Sequence, residues 1–284
     1  MIPKSLALAL QYLAPQHALS KFAGWLSSRR ATWWKNWQIN FLIKNYGADL
    51  SAAASSNLDD YPTFNSFFTR QLKPGSRPIA ADCVVAPADG AISQLGDIRG
   101  DTIFQAKGYD YSLSALLGGA TDLANSFQNG KFATIYLAPK DYHRVHTPLG
   151  GTLRETIYVP GQLFSVSQQT ANGIPNLFTR NERLICIIDT AVGPMAVIFV
   201  GAMLVGNIVT AWDARPASKT VQRVSYPQGN TAAPTFNTGD ELGYFTMGST
   251  VILLFPDHKI SWLSSFQENS TTQMGQQFAN ILSP

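Results

Sequence analysis

Apolar positions along the chain fall into two regimes that meet near residue 60. Before it they recur with a helical period. Leu6, Leu10 and Leu13 share one face, and after Pro15 the set Leu19, Phe22, Ala23 and Leu26 keeps the i, i+3, i+4, i+7 spacing, which Trp34, Trp37 and Phe41 extend. This predicts amphipathic helices. Beyond residue 60, short β-type runs take over, at Lys131–Leu137, 184–188, 196–200 and 251–255, with punctuation such as Pro160-Gly161 and Gly193-Pro194 between them. That spacing suits a mostly antiparallel sheet or sandwich better than repeated βαβ units. A short helix is expected over 111–118, ended by Gly118, and a polar tail after about Gln267. The expected fold class is therefore α+β: N-terminal amphipathic helices in residues 1–60, then a β-rich body over 61–284.

Charge changes the picture of the first segment. The net charge of +3 is unevenly placed, because Lys4, Lys21, Arg29, Arg30, Lys35 and Lys44 all precede the first acidic residue, Asp49. The remaining chain is net negative. Trp25, Trp33, Trp34 and Trp37, four of the six tryptophans, share that basic stretch. Gln11, His17, Lys21, Ser27 and Arg29 interrupt every apolar window that could span a bilayer, and the run at 6–10 is too short for a clean signal peptide. Helices lying flat in a lipid headgroup layer fit these features, with an anionic membrane surface as partner. Ordinary packing of the helices on the body, or contact between copies of the chain, is the competing account. Nucleic acid is not among the expected partners.

Cys83 and Cys186 have neither disulfide nor metal-ligand spacing, and no metal is expected. Candidate chemistry lies in three segments. DYHRVHTP (141–148) holds His143 and His146, a pair too weak alone to indicate a metal. APADG (86–90) sets Asp89 on a tight turn, where aspartate commonly caps its own backbone. MGST (247–250) puts Ser249 at the start of a buried strand, beside Gly248.

Together with 63–79 (TFNSFFTRQLKPGSRPI), VPGQLFSV, NLFTRNERLICIIDT, VGAMLVGNI and GDELGYFTMGSTVILLF, these segments resemble the pyruvoyl-dependent phosphatidylserine decarboxylase family of bacteria. The one departure noted is Met247, where the family usually has leucine. The resemblance implies an enzyme that decarboxylates phosphatidylserine to phosphatidylethanolamine, made as a precursor and split between Gly248 and Ser249 into chains of residues 1–248 and 249–284. It implies Asp89, His146 and Ser249 as the self-cleavage triad, with Ser249 becoming the pyruvoyl cofactor and Schiff-base site. Only a small residue such as Gly248 is expected to leave room for that attack. His143 is implied in the decarboxylation as proton donor or carboxylate-orienting group, Asp141 as an orienting residue and Phe164 as a substrate-pocket wall. The two fragments remain partners, association into a homo-oligomer stays open, and the location implied is peripheral, on the cytoplasmic side of the inner membrane. Two other readings stay open: a serine hydrolase using Ser249, His146 and Asp89 without self-cleavage, although no GxSxG elbow is present, and a non-enzymatic peripheral lipid-binding protein.

Overall fold

A computed structural model of the chain describes residues 4–106, 108–203, 207–212, 218–227, 229, 231–246 and 248–282. Helices α1 (Lys4–Leu13), α2 (Gln16–Ser27) and α3 (Thr32–Tyr46) come first, followed by a short α4 (Phe64–Phe68). Pro15 separates α1 from α2. Gly47, at φ +73°, ends α3 in the left-handed conformation and donates its N–H to Ile43 O. Thr63 and Ser66 form a reciprocal capping box that starts α4.

The body then runs through β1 (Cys83–Val85), β2 (Gly90–Asp97), β3 (Thr102–Ala106), β4 (Tyr109–Ser112), α5 (Leu113–Leu116), α6 (Thr121–Asn125), β5 (Lys131–Leu137), β6 (Arg144–His146) and β7 (Gly151–Val159). Next come α7 (Gln168–Ala171), α8 (Leu177–Arg180), β8 (Arg183–Thr190), β9 (Gly193–Val200), β10 (Ile208–Thr210), β11 (Gln222–Ser225), β12 (Thr235–Phe236) and β13 (Glu241–Phe245). The chain closes with β14 (Ser249–Phe255), β15 (Ile260–Trp262), β16 (Thr271–Thr272) and β17 (Gln277–Ile281).

The dominant sheet has the order β11-β7-β8-β9-β14-β5-β2-β16, with β12 added on β7. Every pairing in it is antiparallel. Two smaller sheets, β1-β17-β15 and β10-β13-β6, and the β3-β4 hairpin complete the body. The expected β-rich, antiparallel α+β architecture is what the chain adopts. β14 lies between β5 and β9 and is buried at all seven positions, which explains why its sequence is a continuous apolar run without alternation. Where β2 begins, a Cβ on Gly90 would lie 2.6 Å from Tyr136 O, so only glycine lets β5 approach so closely.

Two local expectations change. The segment 111–118 is not wholly helical: Tyr111 and Ser112 finish β4, and Ser112 caps α5 by accepting from Ala115 N. The residues after Gln267 are no loose polar tail. β16 pairs with β2, and β17 is the central strand of its sheet, burying Phe278 and Ala279. Their apolar positions are too few to give a periodic signal; non-local pairing supplies the order.

The N-terminal helices are inverted relative to ordinary packing. α2 turns Gln16, Ser20 and Ser27 inward and leaves Leu19, Phe22 and Trp25 exposed. Gln16 Oε1 accepts Leu163 N at 2.6 Å, Gln11 Oε1 accepts Ser165 N at 3.0 Å, and His17 Nε2 donates to Gly161 O at 3.0 Å. α3 buries Lys35, Ile39 and Leu42, with Ile39 and Leu42 in one cluster with Tyr61, Phe64, Phe67 and Phe68, so the packing runs across residue 60. Lys35 donates to Leu58 O at 2.6 Å, which removes one of the six N-terminal cations from the surface.

Leu253→Ala, in the middle of β14, is expected to cost about 2–5 kcal/mol, because the sheet cannot collapse around the lost side chain. Urea unfolding measures it, and an unchanged midpoint would remove β14 from its place at the centre of the core.

Candidate functional site

The sheet register brings the sequence motifs to one end of the large sheet. Ser249 pairs with Leu137 on β5, and Ala91 pairs with Tyr136, so Gly90 lies in the same row and Asp89 just beyond it. His146 N donates to Pro87 O at 2.8 Å, tying β6 to the Asp89 turn. Thus segments far apart in sequence meet through backbone pairing.

Their side chains are held by other groups than one another. Both Asp89 oxygens are clamped by Arg77, at 3.1 Å from Nε and 2.5 Å from Nη2, and Oδ1 also accepts Met274 N at 2.8 Å. The His146 ring lies between Gly239 O, 2.8 Å from Nδ1, and the Tyr142 hydroxyl, 3.0 Å from Nε2. A carbonyl can only accept, so Nδ1 carries the proton and Nε2 accepts from Tyr142. Burial lowers the His146 pKa and keeps the ring neutral. Both oxygens of Glu241, opposite His146 on β13, accept from Arg144 Nη1, at 2.8 and 2.9 Å.

Ser249 is fully buried, and its Oγ has no hydrogen-bond partner. A Cβ at Gly248 would meet nothing within 4 Å. Crowding at Gly248 is therefore not why a small residue stands there. The Cβ direction of the half-buried Gly248 faces open space, while the serine is locked in the core. Met247, the departure from the family pattern, lies outside the described residues.

His143 is fully buried, with its ring stacked on Phe68 at 4.0 Å between centroids. Nε2 donates to Ala138 O at 3.0 Å, and Nδ1 has no partner. Burial first, and then the Arg70 charge, push its pKa down to about 3, so in this state it is a neutral ring that can accept a hydrogen bond at Nδ1 but is a poor base. Asp141 supports it indirectly: Oδ2 accepts Ala138 N at 2.7 Å, fixing the peptide whose carbonyl holds His143. Burial raises the Asp141 pKa.

On the neighbouring side lies a cavity of about 410 Å³, with walls that include Lys21 of α2, Leu163, Glu182, Gly201, Asn207 and Thr246. It adjoins the segment before Ser249 through Thr246, whose Oγ1 accepts Asn207 N at 2.8 Å. Leu163, and not its neighbour Phe164, faces this space. The Phe164 ring packs edge-on against Tyr12 at 5.1 Å and under the Arg180 guanidinium at 4.7 Å.

Arg77, Tyr142, Arg144, Glu241 and Gly239 were not singled out as site residues in the sequence, although each lies inside one of the motifs quoted above. Their position within those motifs was the available signal. No group of three or more His, Cys, Asp or Glu suited to a metal occurs among the described residues.

A family model described as phosphatidylserine decarboxylase matches residues 64–280, and one described as PSD matches residues 6–47. The chain is similar to the phosphatidylserine decarboxylase proenzyme of Alcanivorax borkumensis, 52% identical over 274 residues that cover 95% of this chain and 94% of that one. It is 49% identical to the proenzyme of the same name from Pseudomonas entomophila over 273 residues, 95% of each chain. For that of Marinobacter nauticus the figures are 46% over 284 residues, 99% of each.

Imidazole ¹⁵N spectra of the folded chain between pH 5 and 8 are expected to show His143 neutral throughout, protonated at Nε2 alone. With its pKa raised in the unfolded chain relative to the folded one, His143 opposes folding only as the pH falls below its ordinary value of about 6.5. A protonated His143 signal at pH 6 would contradict the burial argument.

Proposed function

The chain belongs to the phosphatidylserine decarboxylase family and catalyses that decarboxylation, and from this premise we propose that it is a precursor that splits itself between Gly248 and Ser249. The observation that carries the proposal is the pairing of a fully buried, unpartnered Ser249 hydroxyl with a Gly248 whose Cβ direction is open. A buried hydroxyl without a partner costs about 1–3 kcal/mol; the Thr250 hydroxyl shares that state, and what sets Ser249 apart is its place directly after Gly248 at the start of β14. The printed names of the relatives, proenzymes, support the same reading.

In the reaction, Ser249 Oγ attacks the Gly248 carbonyl carbon, and the C–N bond gives way to an ester. Elimination of the Gly248 carboxylate leaves a dehydroalanine at 249; water then releases ammonia and leaves a pyruvoyl ketone. His146, neutral and bare at Nε2 apart from the Tyr142 hydroxyl, is the base assigned to the serine proton. Asp89 acts through its Arg77 clamp and its turn, since its oxygens are occupied by Arg77 and Met274 N. The ketone supplies an electrophile for the substrate amine and a sink for the electron pair released with CO₂. His143 presents its bare Nδ1 at this end of the sheet, held in place by Ala138 and Asp141. Phe164 does not line the cavity; its ring is held by Tyr12 and Arg180, next in sequence to the lining residue Leu163.

Residues 1–60 form the membrane-associating unit and 61–284 the catalytic unit. Leu10, Leu13, Leu19, Phe22, Trp25, Trp33, Trp37 and Phe41 are exposed on α1–α3, and half-burial of such side chains in lipid is worth about 1 kcal/mol each. Nearby cations add about 1 kcal/mol each on an anionic leaflet. Among the described residues no helix is long and apolar enough to cross a membrane, which is compatible with peripheral attachment on the cytoplasmic face of the inner membrane.

Denaturing electrophoresis with intact mass should reveal fragments ending at Gly248 and starting at residue 249, the smaller blocked to Edman sequencing. Ser249→Ala should give a single, folded and inactive chain; full activity in it would sink the pyruvoyl assignment. Replacing Phe22, Trp25, Trp37 and Phe41 together by serine should leave splitting intact and abolish sedimentation with phosphatidylserine vesicles. Undiminished sedimentation would reject the helices as the lipid anchor.

A further inference from the structure

Glu182 has no part in the reactions above, yet it occupies a marked position. Val200 pairs with Thr250 on one side and with Arg183 on the other, so the next row out carries Ser249, Gly201 and Glu182 on adjacent strands. Gly201 N donates to Glu182 O at 2.8 Å, which fixes that row. Paired residues in a sheet project to the same face, and two strand spacings separate the outer pair by about 10 Å. The residue between them has no side chain. A Cβ on Gly201 would lie 3.3 Å from Glu182 O, 3.4 Å from Leu163 and 3.9 Å from Glu182 Cβ, so the close approach of Leu163 and the Glu182 backbone at this row depends on a residue without a side chain. Glu182, Gly201 and Leu163 line the 410 Å³ cavity, and Lys21 closes it from α2. The opposite face of α2 carries the exposed Leu19, Phe22 and Trp25, so the cavity lies directly beneath the lipid-facing helix.

We propose that Glu182 is a further catalytic residue of the decarboxylation, the base that receives a proton from the ammonium of the serine headgroup. This rests on the reading of residue 249 as the electrophile. An α-amino group is largely protonated at neutral pH and has no lone pair to attack with until a base relieves it of a proton. The transfer is from substrate nitrogen to a Glu182 carboxylate oxygen; no electrons change hands, and the proton returns to the product amine on release. Lys21, across the cavity, carries the charge that suits the headgroup phosphodiester.

The groups facing Glu182 are Tyr158 of β7, whose hydroxyl hydrogen-bonds the carboxyl, and His17 of α2. Burial raises the Glu182 pKa above the ordinary carboxylate range, with Tyr158 and His17 opposing the rise. That brings it closer to an amine than His143, whose pKa is pushed down to about 3. Asp141 is bonded to Ala138 N.

The test is Glu182→Gln, which keeps the size and can still accept from Tyr158. Its precursor should split as the parent does, while kcat falls about 100-fold, KM changes less than 3-fold, and the acid limb of the pH–rate profile disappears. Glu182→Asp should recover part of kcat together with the limb. Unchanged kcat and acid limb in a split E182Q enzyme would overturn the assignment. Failure of the parent chain to split would instead overturn the reading of residue 249.

Discussion

The structure depends on one constraint: β14 is buried on both faces and paired on both edges, by β5 along its full length and by β9 from Thr250 to Leu254. Its first residue is Ser249. An anchor of this kind fixes the serine against the sheet, while Gly248 lies outside the ladder with open space in its Cβ direction. In the proposed reaction, bond breaking at that junction touches only the first pair of β14, Ser249 with Leu137, and leaves the pairs from Thr250 to Phe255 in place. The 36 residues from Ser249 onward also enter through β16 on β2 and β17 between β1 and β15. A segment this short has no core of its own, and its stability is that of the sheets it completes.

Around this anchor, charge is placed according to burial. Asp89 and Glu241 are each locked by an arginine, Asp89 bidentately by Arg77 and Glu241 through Nη1 of Arg144, in pairs that are mostly shielded from water. Neutral groups occupy the interior: His146 with its proton directed at Gly239 O, and His143 with one nitrogen bonded and the other bare. Truncating one partner of such an ion pair typically costs about 3–5 kcal/mol, because a charge is left buried without its counterpart. The arginines thus hold the Asp89 turn and the β6–β13 pair in place, and burial keeps both histidine rings neutral.

The helices at the start of the chain follow the opposite logic to the core. Their polar side chains, Gln11, Gln16 and His17, bond the backbone of residues 161–165, which forms the cavity wall, and their aromatic side chains point away. An ordinary surface helix would reverse this, and the cost of exposing apolar area is recovered only where another apolar phase meets it. The same contacts join the proposed lipid-facing surface to the cavity, since Lys21 and Leu163 line it from opposite sides.

By itself the sequence determined the two regimes of periodicity, the buried strand ending in Phe255, the tryptophan-rich basic start and the motifs around Asp89, His146 and Ser249, because each is local and set by neighbours in the chain. It did not determine that β17 is an ordered central strand, that Lys35 is buried, or that the apolar faces of α1–α3 point outward, because periodicity marks a face without saying what it meets. Nor did it reveal that Arg77 and Met274 hold Asp89, that Gly239 and Tyr142 hold His146, or that Glu182 stands beyond Gly201 from Ser249. These partners lie up to 185 residues apart. Only strand register brings them together, and register is settled by long-range pairing and core packing that no local pattern encodes.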